Sequence, residues 1–502
     1  MRTEFTGSGL AILLFVVTSA FSTPSSAAQV TSPTSEELTP GRIIERVVCK
    51  NNSEQTYSLY LPSSYSKTRR WPLIAAFDPG ARGNLPVEHF KEAAERYGFI
   101  VCGSNNSRNG PMPPTGEAAK AMLGDVVARF AIDDKRVYLT GFSGGARAAT
   151  TLAVFFNGLV AGVIGCGAGL AEGLAPSSSL PFAYYGTVGN EDFNYAEMKQ
   201  LDRALDSGGV THHIEVFDGG HSWAPAEVCI RAVEWLELQA MKAGRRARDD
   251  SFIDRVFKNV QDAASVNGSA DRVYDAYLGY AAIAADFKGL RDVAEIEKKA
   301  ALLKDSKAVK QAINKEREQE NEQRHRASEL FRLRARLTTQ ATKAALGGGS
   351  SGGVFTQRNE PAGDPDARQP IISDLKGMLL DLKRKSEAKE SSPERALARR
   401  VLNEFTVASF EQSMHLIQIK KYDLAAANLA TDAEVMPDNW RVLYNLACAY
   451  ALGGDKRRAI EALNNAVRKG FSNAAELENN HQLDSIRNES GFKKIVEGLK
   501  KQ

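Results

Sequence analysis

Ser143, His221 and the adjacent carboxylates Glu191 and Asp192 are the residues of this 502-residue chain whose types and spacing could do covalent chemistry. Ser143 stands in "RVYLTGFSGGARAAT", where an apolar, β-forming run ends in Gly-Phe-Ser-Gly-Gly and a small-residue stretch able to start a helix follows. A strand-to-helix turn tight enough to make a serine protrude needs small residues two positions before and after it, and Gly141 and Gly145 are those residues. A serine hydroxyl is a poor nucleophile near neutral pH and needs a base to take its proton. Of the seven histidines, His221 in "VFDGGHSWAP" directly follows a β-type run and precedes a helix. His89 lies within a helical stretch, His212 and His213 open a strand, and His325, His415 and His481 belong to a helical second half. An imidazole base in turn needs a carboxylate to fix its tautomer and stabilise the imidazolium. "FAYYGTVGNEDFNY" offers Glu191 and Asp192 in a loop after a strand, whereas Asp218, in the same turn as His221, reads as a turn cap.

The elements that must position these groups are legible between about residues 41 and 243. Short β-type runs ("RVVCK", "TYSLYL", "PLIAAF", "FIVCG", "RVYLTG", "GVIGC", "FAYYG", "HIEVF") come with amphipathic helical stretches between the later ones. That alternation predicts a mostly parallel sheet with helices on both faces. In such sheets the ligand site lies beyond the carboxyl ends of the strands, where Ser143, Glu191, Asp192 and His221 all fall.

With strand before and helix after, G-x-S-x-G is the nucleophile elbow of α/β-hydrolases, and the 41–243 segment resembles that superfamily. It is similar to small exported esterases akin to polyhydroxybutyrate depolymerases, feruloyl esterases and dienelactone hydrolases, over roughly two-fifths of the chain. The order Ser, acid, His is that family's order, and the resemblance together with loop position favours Asp192 over Glu191 as the acid. The resemblance implies ester hydrolysis through an acyl-enzyme, with no metal or organic cofactor. Acyl attack also needs two oxyanion donors. One expected donor is the N–H of Gly144; the other should follow "PLIAAF", where Pro79 has no N–H and Gly80 or Ala81 remain. Many hydrolases carry His-Gly where this chain has Asp78-Pro79-Gly80. "GAGLAEGLAPSSSLP" is too short for a helical cap, so the site is expected to be open. In "CGSNNSRNGPMPPTGE", Asn105 and Arg108 fall near a strand end and are candidates to bind a polar or carboxylated part of the substrate; the plain alternative is a polar surface loop.

A formal net charge of +3 with 43% hydrophobic and 25% charged residues is nearly balanced, which gives no global reason to expect nucleic acid or an anionic membrane as partner. Residues 1–28, with Arg2, the apolar run "LAILLFVVTSAF" and "SSAA", read as a signal peptide for a periplasmic or secreted protein; the run is short of the roughly 20 residues a membrane span needs. Export makes disulfides possible among Cys49, Cys102, Cys166 and Cys229, and their pairing stays open.

After residue 246 the β signal stops. Residues 246–345 read as a helical hairpin followed by a highly charged, solvated spacer helix, 346–370 as a flexible Gly/Ser/Pro linker, and 371–502 as helices. Within 406–473, Leu443, Leu446, Tyr450 and Leu463 alternate with Ala447, Ala459 and Ala466, and a shift of about 34 residues maps Ala459 to Ala425, Leu463 to Leu429 and Ala447 to Ser413. This resembles a tetratricopeptide repeat, the earlier copy departing at Ser409, Gln412 and Asp432, and implies a surface for a protein or peptide partner. The whole therefore reads as an exported serine esterase for a small-molecule or polymer ester, joined to a repeat module that moves independently. A serine peptidase of prolyl-oligopeptidase type, or an idle hydrolase domain in a binding scaffold, are the alternatives.

Overall fold

The computed structural model describes residues 38–266, 272–346 and 368–501, without the side chains of 266 and 341–346. The signal-peptide reading and most of the linker reading lie outside these residues. Among the described residues eight strands form a single sheet: β1 (Ile43–Cys49), β2 (Asn52–Tyr60), β3 (Trp71–Phe77), β4 (Ile100–Ser104), β5 (Ile132–Phe142), β6 (Gly162–Cys166), β7 (Ala183–Gly189) and β8 (His212–Phe217). Their spatial order is β1-β2-β4-β3-β5-β6-β7-β8, with β2 antiparallel to both neighbours and every other pair parallel. β3, β4 and β6 are buried at every position, which is why they read as unbroken apolar runs instead of alternating ones.

Five helices belong to the sheet: α1 (Asn84–Tyr97), α2 (Met112–Arg129), α3 (Gly144–Phe155), α4 (Tyr195–Ser207) and α5 (Ala226–Lys242). α1 and α5 bury Val87, Phe90, Val228, Val233 and Leu236 in one core with Ile74, Val101, Tyr138 and Ile164 of the strands. α3 packs on β5 and β6 and against α2. All five cysteines are buried thiols without a disulfide, which answers the open pairing.

Among the described residues the second half is helical: α6 (Asp250–Val266), α7 (Val273–Phe287), α8 (Ala294–Asp305), α9 (Lys307–Leu346), α10 (Arg368–Ser386), α11 (Pro393–Gln418), α12 (Tyr422–Val435), α13 (Trp440–Leu452), α14 (Lys456–Arg468), α15 (Ala474–Asn479) and α16 (Ser490–Lys500). α11 to α14 pack in sequence order, and Ala425, Ala447, Ala459 and Ala466 are fully buried where neighbouring helices meet. Among the described residues no helix is long and apolar enough to cross a membrane.

The fold departs from expectation at two places. α9 is not a solvated spacer: Leu330, Leu333 and Leu337 are buried with Ile371, Leu375, Leu379, Val401 and Phe405. Its charged residues act as glue, for Arg334 donates from Nε and Nη2 to the buried Asp432 carboxylate (2.6 and 2.8 Å) and from Nη1 to Gln412. Two of the three positions where the earlier repeat departs from its pattern, Gln412 and Asp432, are thus where α9 inserts an arginine. Nor is the last part of the chain free of the sheet: Pro40–Gln502 form one compact unit. Arg203 of α4 forms a two-pronged ion pair with Glu320 of α9, and Leu238 and Met241 of α5 share a core with Phe252, Ile253 and Phe287.

Candidate active site

Ser143 sits between β5 and α3 at φ 53° and ψ −121°, a backbone conformation that L residues rarely adopt. Its N–H donates to the Cys166 carbonyl at the end of β6 (2.8 Å). The two flanking glycines are required by contact: a Cβ at Gly141 would lie 2.1 Å from the Gly145 carbonyl oxygen, and one at Gly145 would lie 2.0 Å from that of Phe77. β3, β5 and the first turn of α3 therefore touch backbone to backbone, and the turn holds the serine outward from that junction.

His221 follows β8, and its Nδ1 lies 2.9 Å from both oxygens of Asp192 in the loop after β7. The Asp192 side chain is 0% exposed and also accepts from the Asn194 N–H (2.8 Å). With Nδ1 engaged by the carboxylate, Nε2 is the ring nitrogen left for proton transfer. The rings of Phe142 and Phe193 flank the imidazole, with centroids 4.5 and 4.1 Å away. Gly167, just after β6 at φ 65°, makes room for the pair: an added Cβ would fall 3.1 Å from Asp192 Oδ2 and 3.3 Å from His221 Nδ1. The other two carboxylates are committed elsewhere. Asp218 accepts from the Asn190 amide (2.9 Å), and Glu191 faces Arg395 (2.9 Å) and Arg399 (2.6 Å).

The loop after β3 differs from expectation. The Gly80 N–H donates to Asp78 Oδ1 (2.8 Å) and the Ala81 N–H to the Asp78 carbonyl (3.2 Å), so both proposed oxyanion donors are satisfied inside their own turn. The cause is Asp78 itself, which is buried and also accepts from Arg82 Nε (2.8 Å) and Nη2 (3.0 Å) and from Trp223 Nε1 (2.9 Å). Burial alone would raise its pKa, but the bonds from Arg82, Trp223 and Gly80 outweigh that and hold the carboxyl below its ordinary value. Asp78 thereby ties the β3 loop to the turn carrying His221, a role that the missing His-Gly signalled without naming.

The Gly144 N–H, by contrast, has no acceptor among the described residues. The atoms nearest to a Cβ placed on Gly144 all belong to the Asn109 side chain, Oδ1 at 1.9 Å and Nδ2 at 3.3 Å. Asn109 was not read as functional from the sequence, although it lies beside Arg108. Its N–H donates to the Pro79 carbonyl (2.9 Å), and Arg108 pairs by its backbone with Gly80 while its side chain is exposed. Asn105 is differently placed: its amide donates to the Glu45 carbonyl (3.0 Å) and accepts from Ser58 (3.2 Å), which commits it to the sheet edge and not to a ligand.

No protein-family model matches the chain, and no curated protein matches it. Among solved structures it is similar to a ferulic acid esterase, at 15% sequence identity over 39% of this chain and 97% of that one, with a TM-score of 0.33. It is also similar to the feruloyl esterase module from Clostridium thermocellum (17% identity, 42% and 93% covered, TM-score 0.31). A third is the S-formylglutathione hydrolase from Staphylococcus aureus (15% identity, 36% and 90% covered, TM-score 0.30). These likenesses are distant, and what the site does follows from its own residues.

Proposed function

We propose that the chain is a serine hydrolase of carboxylic esters. The observation that carries this reading is the His221–Asp192 pair, closed at 2.9 Å and packed on Phe142, next in sequence to an elbow serine with a sparsely populated backbone conformation. In the proposed reaction His221 Nε2 takes the proton from Ser143 Oγ as that oxygen attacks the ester carbonyl. Asp192 holds the ring in the tautomer that leaves Nε2 basic and stabilises the imidazolium. His221 then delivers the proton to the leaving alcohol, and water hydrolyses the acyl-enzyme by the same steps in reverse. The negative charge on the carbonyl oxygen is met by the free N–H of Gly144, at the positive end of α3. The Asn109 carboxamide lies against Gly144 with Oδ1 nearer than Nδ2; turned about its Cβ–Cγ bond, it supplies the second donor from Nδ2 in place of Gly80 or Ala81. This chemistry draws on no metal or organic cofactor.

Export to the periplasm or medium, and a protein or peptide partner for the repeats, belong to the same reading. A groove of about 730 Å³ lined by Leu443, Leu446, Tyr450, Arg458, Ala462 and Arg468 supports the latter. The reading is tested by assaying wild type and S143A on chromogenic esters of graded acyl length and on peptide amides. Ester turnover that S143A abolishes is expected. Cleavage of the amides instead would make the chain a peptidase, and no turnover of either class would overturn the proposal.

A further inference from the structure

Resting on that reading, we propose that the helical half is a working part of the active site: Arg395 and Arg399 of α11, through Glu191, and Gln323 of α9, through the Phe193 carbonyl, hold Asp192 in register with His221. The acid loop alternates in what it faces. Asp192 points to the imidazole, while the residues on either side of it are gripped by helices more than a hundred positions away in sequence. Arg395 donates to Glu191 Oε1 from Nε (3.2 Å) and Nη2 (2.9 Å), and Arg399 donates from Nη1 to Oε2 (2.6 Å). Gln323 Nε2 donates to the Phe193 carbonyl (2.8 Å).

The two arginines are four apart on one helix face, as a joint grip on one carboxylate requires. Both are fixed before they reach it. Arg395 Nη1 donates to the carbonyls of Ala388 (3.4 Å) and Lys389 (3.2 Å), and Arg399 Nε to that of Ser386 (2.8 Å), so the α10–α11 connection orients both forks. Glu191 is buried, and a buried carboxylate without its partners is strongly disfavoured, so losing the arginines forces the loop to move. Movement reaches the base directly, because the Phe193 ring packs on the imidazole at 4.1 Å and Asp192 lies between the two gripped residues. Just downstream, Tyr195 donates to Glu316 of α9 (2.8 Å) and the Arg400 guanidinium of α11 covers its ring (4.3 Å), so the start of α4 is held by the same two helices. These are positioning residues: their hydrogen bonds go to the acid loop.

The experiment compares full-length wild type with R395A/R399A, R395K/R399K, E191Q and Q323A. Its readouts are kcat and KM on a small soluble ester, circular dichroism for folding, and the far-downfield proton resonance of the His221–Asp192 hydrogen bond. In R395A/R399A kcat should fall by about 10-fold to 10²-fold, the scale of a 1 Å misplacement. KM should stay within about twofold, because uniform binding is untouched. The downfield resonance should broaden or vanish, R395K/R399K should recover most of both signals, and E191Q and Q323A should move the same way. E191Q and Q323A carry the test alone if the double alanine variant does not fold. Folded variants with wild-type kcat and an unchanged resonance would overturn the clamp. A wild type that hydrolyses no ester, yet whose resonance responds to these substitutions as described, would overturn the esterase reading and leave the clamp standing.

Discussion

Glu191 and Asp192 are adjacent carboxylates in one loop, and their partners separate them. Asp192 meets His221 while Glu191 meets two arginines from α11. D192N should therefore lower kcat by about 10³-fold to 10⁴-fold, by favouring the wrong imidazole tautomer. E191Q should cost far less, through loop placement alone; steady-state kinetics rank the two, and the reverse ranking would move the acid to Glu191. The Asn109 assignment gives a second expectation. N109A should lower kcat by about 10²-fold to 10³-fold with little change in KM, the signature of an oxyanion donor, and an unchanged kcat would return that role to the β3 loop. The sequence pointed to Ser143, His221 and the Glu191/Asp192 loop because each sits directly after a β-type run. It could not show that Gly80 and Ala81 spend their N–H groups on Asp78, since that depends on where a turn folds its own side chain. It could not show Asn109 either, whose neighbour Gly144 is distant in sequence.

Among the elements, the central strands β3, β4 and β6 were readable because burial on both faces leaves unbroken apolar runs, and the elbow was readable because its glycines are imposed by backbone contact. That contact is testable by itself. G145A places a methyl group 2.0 Å from the Phe77 carbonyl oxygen, a backbone atom that cannot swing aside. The substitution should destabilise the protein by about 1–3 kcal/mol or more and abolish turnover, measured by thermal melting and ester assay. An active, equally stable G145A would mean that β3 and α3 are not in contact as described. The helices beyond residue 246 were readable as helices but not as neighbours. Arg334 and Asp432 are 98 positions apart, and nothing local in "RLRARL" or in "ATDAEV" announces that one buries its charge against the other. The same distance hid the grip of α9 and α11 on the acid loop.

For the whole molecule, the decisive feature is that the helical half leans on the sheet through buried charge. Glu316 of α9 accepts from Tyr195 (2.8 Å) and Tyr274 (2.7 Å) and pairs with Lys199 of α4 (3.3 Å). Burial by itself would raise its pKa, but the Lys199 charge and the two tyrosine bonds outweigh it and hold the carboxyl below its ordinary value. A carboxylate whose folded pKa is depressed stabilises the fold above its unfolded value of about 4.3, and loses that contribution as pH falls through the folded value. Wild type should thus melt higher than E316Q near pH 7. The gap should shrink as the pH drops below about 4, as followed by calorimetry. A gap independent of pH would show that Glu316 contributes packing and not charge.

The most direct test of the central claim, that Ser143 is a nucleophile activated by His221, is labelling with a fluorophosphonate followed by peptide mass mapping. Wild type should carry one phosphonyl adduct on Ser143, and folded S143A should carry none. Labelling of S143A at wild-type intensity, or an unlabelled wild type, would contradict the account.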